Sequence, residues 1–304
     1  MTEAIYLEVT EKTEAAHKAK RRVSVSGMLK HLGVSRSGYR AWLKHVPSNT
    51  EQHRKAVKNK IRDIYKESKE IYGAPKITKE LRKTGECIAE RTVGQYMKQM
   101  GIKANWVKPY TVTTRDSDFS SELQNILDEQ FNPERPNAVW CSDITYIWTV
   151  NGFVYLTSIM DLYSRKIIAW TLSETLEVSC VIETIKKAKA RRNTEKPLIL
   201  HTDRGSQYVS KEYKRVTKNM QCSYSKKAYP WDNACIESFH SLIKREWLNR
   251  FKIRDYKQAY GLVFEYLEAF YNTKRIHSHC DYMSPNDYES LYQKLQKDEL
   301  LIAG

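Results

Sequence analysis

The chain has 304 residues, with 51 Lys+Arg against 36 Asp+Glu for a net charge of +15, and 41% of its residues are hydrophobic. No window approaches 18 uninterrupted apolar residues, which excludes a transmembrane helix, and the first residues lack the charged-then-apolar layout of a secretory signal. Six cysteines (Cys87, Cys141, Cys180, Cys222, Cys235, Cys280) form no C-x-x-C pair, which argues against a disulfide scaffold or zinc ribbon and points to reduced thiols in a cytoplasmic protein.

The charge is unevenly placed. Residues 1–120 hold 25 Lys+Arg and 13 Asp+Glu, a balance of +12, whereas 121–250 stand at +4 and 251–304 at −1. A basic excess confined to one end points to a polyanionic partner, most simply nucleic acid; a solubilising surface is the alternative.

Residues 1–104 read as helical and fall into two candidate helix-turn-helix units, 1–50 and 51–104. In the first, Val25, Met28, Leu29 and Leu32 have helical spacing, Gly33 supplies a turn, and Ser35 can cap a second helix that buries Tyr39, Trp42 and Leu43. Arg36 and Arg40 then lie on its outer face, where a duplex could be met. The second unit has a long helix around Val57, Ile61, Ile64 and Tyr65. A helix opened by Pro75 follows, then one that carries Arg91, buries Val93, Tyr96, Met97 and Met100, and ends at Gly101. Two plain helical hairpins with solvated lysines are the alternative reading. Residues 105–136, rich in Pro, Thr, Asp and Ser, read as a linker with one short helix.

From Asn137 the pattern changes to strands, and 137–250 reads as one α/β domain. The stretch NAVWCSDITYIWT, the Asn151-Gly152 turn, GFVYLTSIMDLYS and KIIAWTLSE predict a three-stranded antiparallel meander. A helix over Glu177 to Arg192, a buried strand PLILHTD, a helix over Lys211 to Met220, a short strand near CSYSKK and a long helix from Asn233 to Arg250 follow. Residues 251–304 read as a C-terminal helical segment. Periodicity alone gives an α/β mixed sheet; three antiparallel strands and then alternating helices and strands is the order of a ribonuclease H-like fold.

Three carboxylates stand in unusual places. Asp143 sits in the middle of the first strand, where an unpaired charge is costly. Asp203 ends the apolar strand, at the kind of strand terminus where α/β proteins gather ligand groups. Glu237 lies on the long helix, seven residues before Lys244 and on the same face, with His240 and Ser241 between them. Singly, each has a bland reading as an edge charge, a turn former or a solvated residue. As a trio they suit metal-assisted phosphoryl transfer, because hard divalent cations prefer carboxylate oxygens and relieve their mutual repulsion.

The motifs W-x-x-D-I-T-Y (Trp140 to Tyr146), H-T-D-R-G-S-Q-Y (His201 to Tyr208) and D-N-A-x-x-E-S-F (Asp232 to Phe239), with Lys244 seven after the glutamate, resemble a DDE transposase. The likeness is to the OrfB proteins of IS-three insertion sequences, in the retroviral-integrase superfamily. L-G-V-S-R-S-G-Y, Y-G-A-P-K-I, R-T-V…M-x-x-M-G-I-K and Y-N-T-K-R-I-H-S…Y-M-S-P extend it over roughly residues 23–290. Thr202, where that family often has Ser, and H-S-H-C-D-Y are small departures.

The resemblance implies a five-stranded ribonuclease H-like integrase core with Asp143, Asp203 and Glu237 as catalytic ligands of Mg²⁺ or Mn²⁺, two ions per site. It implies Lys244 as a contact to element-end DNA, with Arg36, Arg40, Arg91 and Asn233 as further DNA contacts. His201, Gly205, Ser206 and Gln207 shape or support the site, His201 as a buried structural residue or in catalysis. The implied reaction is cleavage at terminal inverted repeats followed by 3′-OH strand transfer into target DNA. The implied setting is the bacterial cytoplasm, at the nucleoid when DNA-bound. A homo-oligomer of at least two chains and an upstream-frame OrfA product are the implied partners. A DNA-binding regulator with vestigial carboxylates and a nuclease that does not join strands are the rival readings. His277, His279 and Cys280 lack convincing zinc spacing and read as a loop.

Overall fold

The protein is described here by a computed structural model covering residues 2–105, 123–192, 194, 197–226 and 229–303. It divides into two compact units, Met1–Lys60 and Ile61–Gly304.

The first unit contains helices α1 (Thr2–Lys18), α2 (Val25–His31) and α3 (Arg36–Leu43), and α4 (Asn49–Glu67) begins within it. Ser24 and Ser35 cap α2 and α3, their hydroxyls accepting from the backbone N–H groups of Gly27 and Gly38 at 3.1 and 3.3 Å. Gly33 ends α2 in the left-handed conformation at φ +68°, which a residue without Cβ adopts at little cost. The core is Tyr6, Val9, Leu29 and Tyr39, with Val25, Met28 and Trp42 packed against it. The rings of Tyr6, Tyr39 and Trp42 lie 5.5 to 6.1 Å apart. Leu32 and Leu43, expected inside, are 42% and 53% exposed. The core closes instead on rings supplied partly by α1, and Leu43, the last residue of α3, falls outside it.

In the second unit, α5 (Ala74–Lys83) has Pro75 in its first turn, and α6 (Glu90–Gln99) buries Val93 and Met97 and stops before Gly101 at φ +68°. Tyr96 and Met100 are only half-buried. This helical region is stitched to the C-terminal segment. Tyr72 Oη accepts from the N–H of Ile276 at 2.8 Å and donates to Lys274 O at 3.2 Å, and Lys83 Nζ donates to Tyr282 O at 2.9 Å. The KPYTVTTRDSDFSS part of the expected linker lies outside the described residues. Positions 123–136 contain turns and no helix.

The sheet has five strands, β1 (Val139–Thr149), β2 (Gly152–Asp161), β3 (Lys166–Ser173), β4 (Ile199–Thr202) and β5 (Gln221–Tyr224), in the order β3-β2-β1-β4-β5. The first three form the antiparallel meander, turning at Gly152 with φ +119°, and β4 and β5 run parallel to β1. Helix α7 (Val178–Arg191) and the short α8 (Lys211–Val216) complete a core of Trp140, Ile159, Ala169, Val181, Ile185, Leu200, Tyr208 and Tyr213. The order is that of a ribonuclease H-like integrase core.

Two helices end earlier than their sequence patterns predict. Helix α8 stops at Val216, where the Thr217 hydroxyl turns back to Tyr213 O at 2.9 Å. Helix α9 spans Ala234–Glu246 and breaks at Trp247, which leaves the helical region and donates its indole N–H to Leu262 O at 3.1 Å.

The chain then forms α10 (Tyr256–Tyr266), a π-helical turn (Leu267–Tyr271) and α11 (Pro285–Ala303). Buried ion pairs tie this segment to the core. Glu246 receives two hydrogen bonds from Arg275 at 2.6 and 2.8 Å, and Glu289 receives two from Arg192 at 2.9 and 3.0 Å. The Asn272 side chain brackets the backbone N–H and C=O of Ile167 on the outer strand β3 at 3.0 and 2.9 Å. At the opposite edge, Tyr224 N–H of β5 donates to Gln124 O at 2.9 Å. No helix among the described residues is long and apolar enough to cross a membrane.

Candidate active site

Strand pairing brings two of the three carboxylates together. In the parallel β1–β4 ladder Cys141 stands beside His201 and Ser142 beside Thr202, and the next residues on each chain are Asp143 and Asp203. Parallel neighbours in one register position share a face and lie about 4.8 Å apart, so both carboxylates emerge side by side where β4 ends. Helix α9 packs on β1 and carries Glu237 in its first turn.

One imidazole joins the three elements. His240, 5% exposed, sits one turn beyond Glu237. Its Nδ1 is 3.3 Å from Asp143 Oδ2, and its Nε2 is 2.7 Å from the hydroxyl of Ser158, the β2 residue opposite Asp143. Asp203 is fixed by its own turn, its Oδ1 accepting from Gly205 N–H at 2.9 Å. A Cβ on Gly205 would lie 3.0 Å from that oxygen and 3.2 Å from Gln207 Oε1, so a side chain there would press on the carboxylate.

The electrostatics are those of crowded anions. Burial, then the charges of Asp143 and Glu237, push the Asp203 carboxyl up to about 6, while the Gly205 N–H opposes the shift. Burial and Asp143 also raise Glu237, and burial lowers the Lys244 ammonium against the pull of Asp143. All-oxygen donors that hinder one another's ionisation suit a hard divalent cation, and this donor set fits one. As placed, the three do not close into a ready-made cage, and among the described residues no three His, Cys, Asp or Glu side chains do.

The flanking residues fall into two groups. His201 is fully buried, with its ring nitrogens 2.9 Å from Ser223 Oγ and 3.1 Å from Ser225 Oγ, and burial pushes its pKa down to about 4. Both of its ring nitrogens therefore face serine hydroxyls. Asn233 is 3% exposed, and its Oδ1 has no hydrogen-bond partner among the described residues. Gln207 is half-buried, its Nε2 3.5 Å from Leu176 O. By contrast Ser206 is exposed beside the site, and Arg36 and Arg40 on α3 and Arg91 on α6 are exposed on their helices. Lys244 Nζ lies 4.7 Å above the ring of Tyr146. His279 Nε2 is 2.9 Å from Tyr163 O and Cys280 Sγ donates to Ser164 O at 3.2 Å, contacts that serve the loop.

The role of His240 is not among those that the sequence predicts. Its spacing of three from Glu237 was the available signal; the register that sets Ser158 opposite Asp143 was not visible without the fold.

The chain is similar to known proteins over most of its length. The integrase core domain family matches residues 133–228 and again 218–285, and the HTH-like domain family matches residues 52–110. The transposase for insertion sequence element IS904 of Lactococcus lactis is 36% identical over 80% of this chain and 97% of its own length. Transposase InsF for insertion sequence IS3A of Escherichia coli K12 is 33% identical over 88% of this chain and 94% of its own. Among solved structures, the HTLV-2 integrase catalytic core in complex with magnesium aligns at a TM-score of 0.39 and 16% identity, over 51% of this chain and 98% of that one. The Mos1 mariner transposase catalytic domain aligns at 0.36 and 15%, over 44% of this chain and 71% of that one. Structural likenesses this low carry no weight beside the family matches. Identity above 30% across nearly the full length of these relatives, with the same integrase core and helix-turn-helix-like domain, makes this chain a member of the IS-three family of insertion-sequence DDE transposases, polynucleotidyl transferases with a ribonuclease H-like core.

Proposed function

We propose that this transposase cuts DNA at the ends of its insertion sequence and joins the freed 3′-OH to target DNA, with Asp143, Asp203 and Glu237 as the catalytic carboxylates. The observation that carries the reading is the side-by-side emergence of Asp143 and Asp203 from β1 and β4 beneath the helix that bears Glu237. These three residues would hold Mg²⁺ or Mn²⁺, two ions per site. Divalent cations bound there supply Lewis-acid polarisation of the scissile phosphate and activation of the attacking oxygen.

The protein's own groups do the rest. His240 holds Asp143 in place from its anchor on Ser158, and Gly205 N–H fixes Asp203. Lys244, two turns along α9 from Glu237, offers its ammonium to a DNA phosphate beside the carboxylates. Arg36, Arg40 and Arg91 meet the backbone of the terminal repeats. In the first step water displaces a 3′ oxygen from phosphorus; in the second that 3′-OH displaces another, one P–O bond forming as one breaks. Strand transfer is thus nearly isoenergetic and needs no nucleotide triphosphate. Two ends brought together with one site each call for at least a dimer, and an upstream-frame OrfA product is a further partner. The reaction takes place on cytoplasmic DNA at the bacterial nucleoid.

The test is cleavage and joining of a labelled duplex carrying the element's end, with Mg²⁺, by the full chain and by Asp143→Asn, Asp203→Asn and Glu237→Gln. Each substitution is expected to abolish both steps while duplex binding persists. Wild-type cleavage by any one of the three overturns the assignment of that residue.

A further inference from the structure

Beyond Asp143, β1 carries large aromatic side chains that are exposed to solvent. Tyr146 and Trp148 alternate outward and are 37% and 65% exposed, and Phe153, paired with Trp148 across the hairpin, is 46% exposed. The three rings form a ladder, with Tyr146 and Phe153 centred 5.4 Å apart and Trp148 and Phe153 4.8 Å apart, both edge-to-face. Large aromatics left in water at this density mark a binding surface.

Cationic residues lie at both ends of the ladder. At its inner end Lys244 Nζ stands 4.7 Å over the Tyr146 ring. At its outer end the hairpin tip is clamped to the chain that follows α9, Val150 N–H donating to Ile253 O at 2.9 Å and Asn151 N–H to Arg254 O at 3.2 Å. That clamp sets the exposed Lys252 and Arg254 on either side of the buried Ile253, beside the tip. Among the described residues β4 pairs with β1 only as far as Ser142.

We propose that the Tyr146–Phe153–Trp148 ladder is a stacking platform for unpaired bases of a DNA single strand whose phosphates are held by Lys244, Lys252 and Arg254. Exposed π-faces between cationic groups are the chemistry that recognises single-stranded nucleic acid without sequence preference. A protein partner seated on aromatics alone would not require those groups. Lys244, at the inner end of the ladder, belongs to the helix that bears Glu237, and the reading of the bound strand as element DNA rests on the transposase reading above.

The experiment measures the affinity of the full chain for a fluorescein-labelled oligothymidylate and for a duplex of equal length, by anisotropy at fixed salt, in wild type, Trp148→Ala, Phe153→Ala and Trp148→Leu. The ladder is exposed, so these variants should fold, and circular dichroism verifies it. Alanine is expected to weaken single-strand binding about tenfold with duplex affinity unchanged, and leucine, apolar but without a π-face, to behave like alanine. Unchanged single-strand affinity in all three variants overturns the proposal. So does full retention by Trp148→Leu, or a loss of self-association in sedimentation without loss of single-strand affinity, since either makes the patch a protein interface. Asp203→Asn separates the two readings: it removes cleavage, and it should leave oligothymidylate affinity at the wild-type value.

Discussion

His240 and Asp143 are partners across an element boundary: an imidazole of α9 lies 3.3 Å from a carboxylate of β1, with its other nitrogen held 2.7 Å from Ser158 of β2. Helix, central strand and neighbouring strand therefore meet at one ring, and the ring orients the Asp143 carboxylate.

His240→Ala should lower kcat for end cleavage about 10- to 100-fold, the usual cost of losing an orienting partner, with KM for end DNA unchanged. The kcat-against-KM split from single-end cleavage kinetics checks it. A rise in KM at constant kcat would show that His240 serves DNA binding instead.

Arg36 and Arg40 project from α3 into solvent, so their loss should cost charge without cost to the fold. Each change to alanine should reduce the slope of log K against log[salt] for end-DNA binding by about 0.9, one released counterion apiece. Titrations from low to moderate salt provide the slopes; parallel lines for variant and wild type would place the duplex elsewhere.

Glu246 and Arg275 form a buried pair, completed by the Tyr266 hydroxyl at 2.7 Å from Glu246. Glu246→Ala leaves the Arg275 guanidinium buried and uncompensated and should cost about 3–5 kcal/mol of unfolding free energy. Replacing both partners by apolar residues should cost much less, because no unpaired charge remains. Urea unfolding of the single and double variants gives the comparison.

His277 is held well below the ordinary histidine range, at about 3, first by burial and then by Arg275, Arg165, His279 and Lys76. The folded chain keeps it neutral, whereas the unfolded chain protonates it below about pH 6.5. Its contribution is therefore present above pH 6.5 and is lost as pH falls from there towards 3. In urea midpoints measured between pH 7.5 and 5, His277→Asn should show a shallower decline than wild type. Equal slopes would mean that the ring is hydrated in the folded state.

Much of this was legible in the sequence where local rules govern. The meander announced itself through β-branched and aromatic runs around Asn151-Gly152, and the carboxylates stood out because charge in or beside a strand is costly. Helix α1 was not legible as part of a core, since Tyr6 and Val9 are the only buried residues of its 17 and make no clear stripe. The misplacement of Leu32 and Leu43 follows from that omission. The break of α9 at Trp247 was hidden for another reason: the indole there donates to Leu262 O, on a segment that only the fold brings near. His240 belongs to the same class, a role defined by strand register.

Both outer strands of the sheet are already occupied: the Asn272 carboxamide takes the backbone groups of Ile167 on β3, and the chain at Gln124 receives Tyr224 of β5. A sheet whose borders are satisfied by its own chain gives no template at those positions for another molecule's strand. At Ile167 and Tyr224, lengthening the sheet with another chain's strand would first require displacing groups of the protein's own chain.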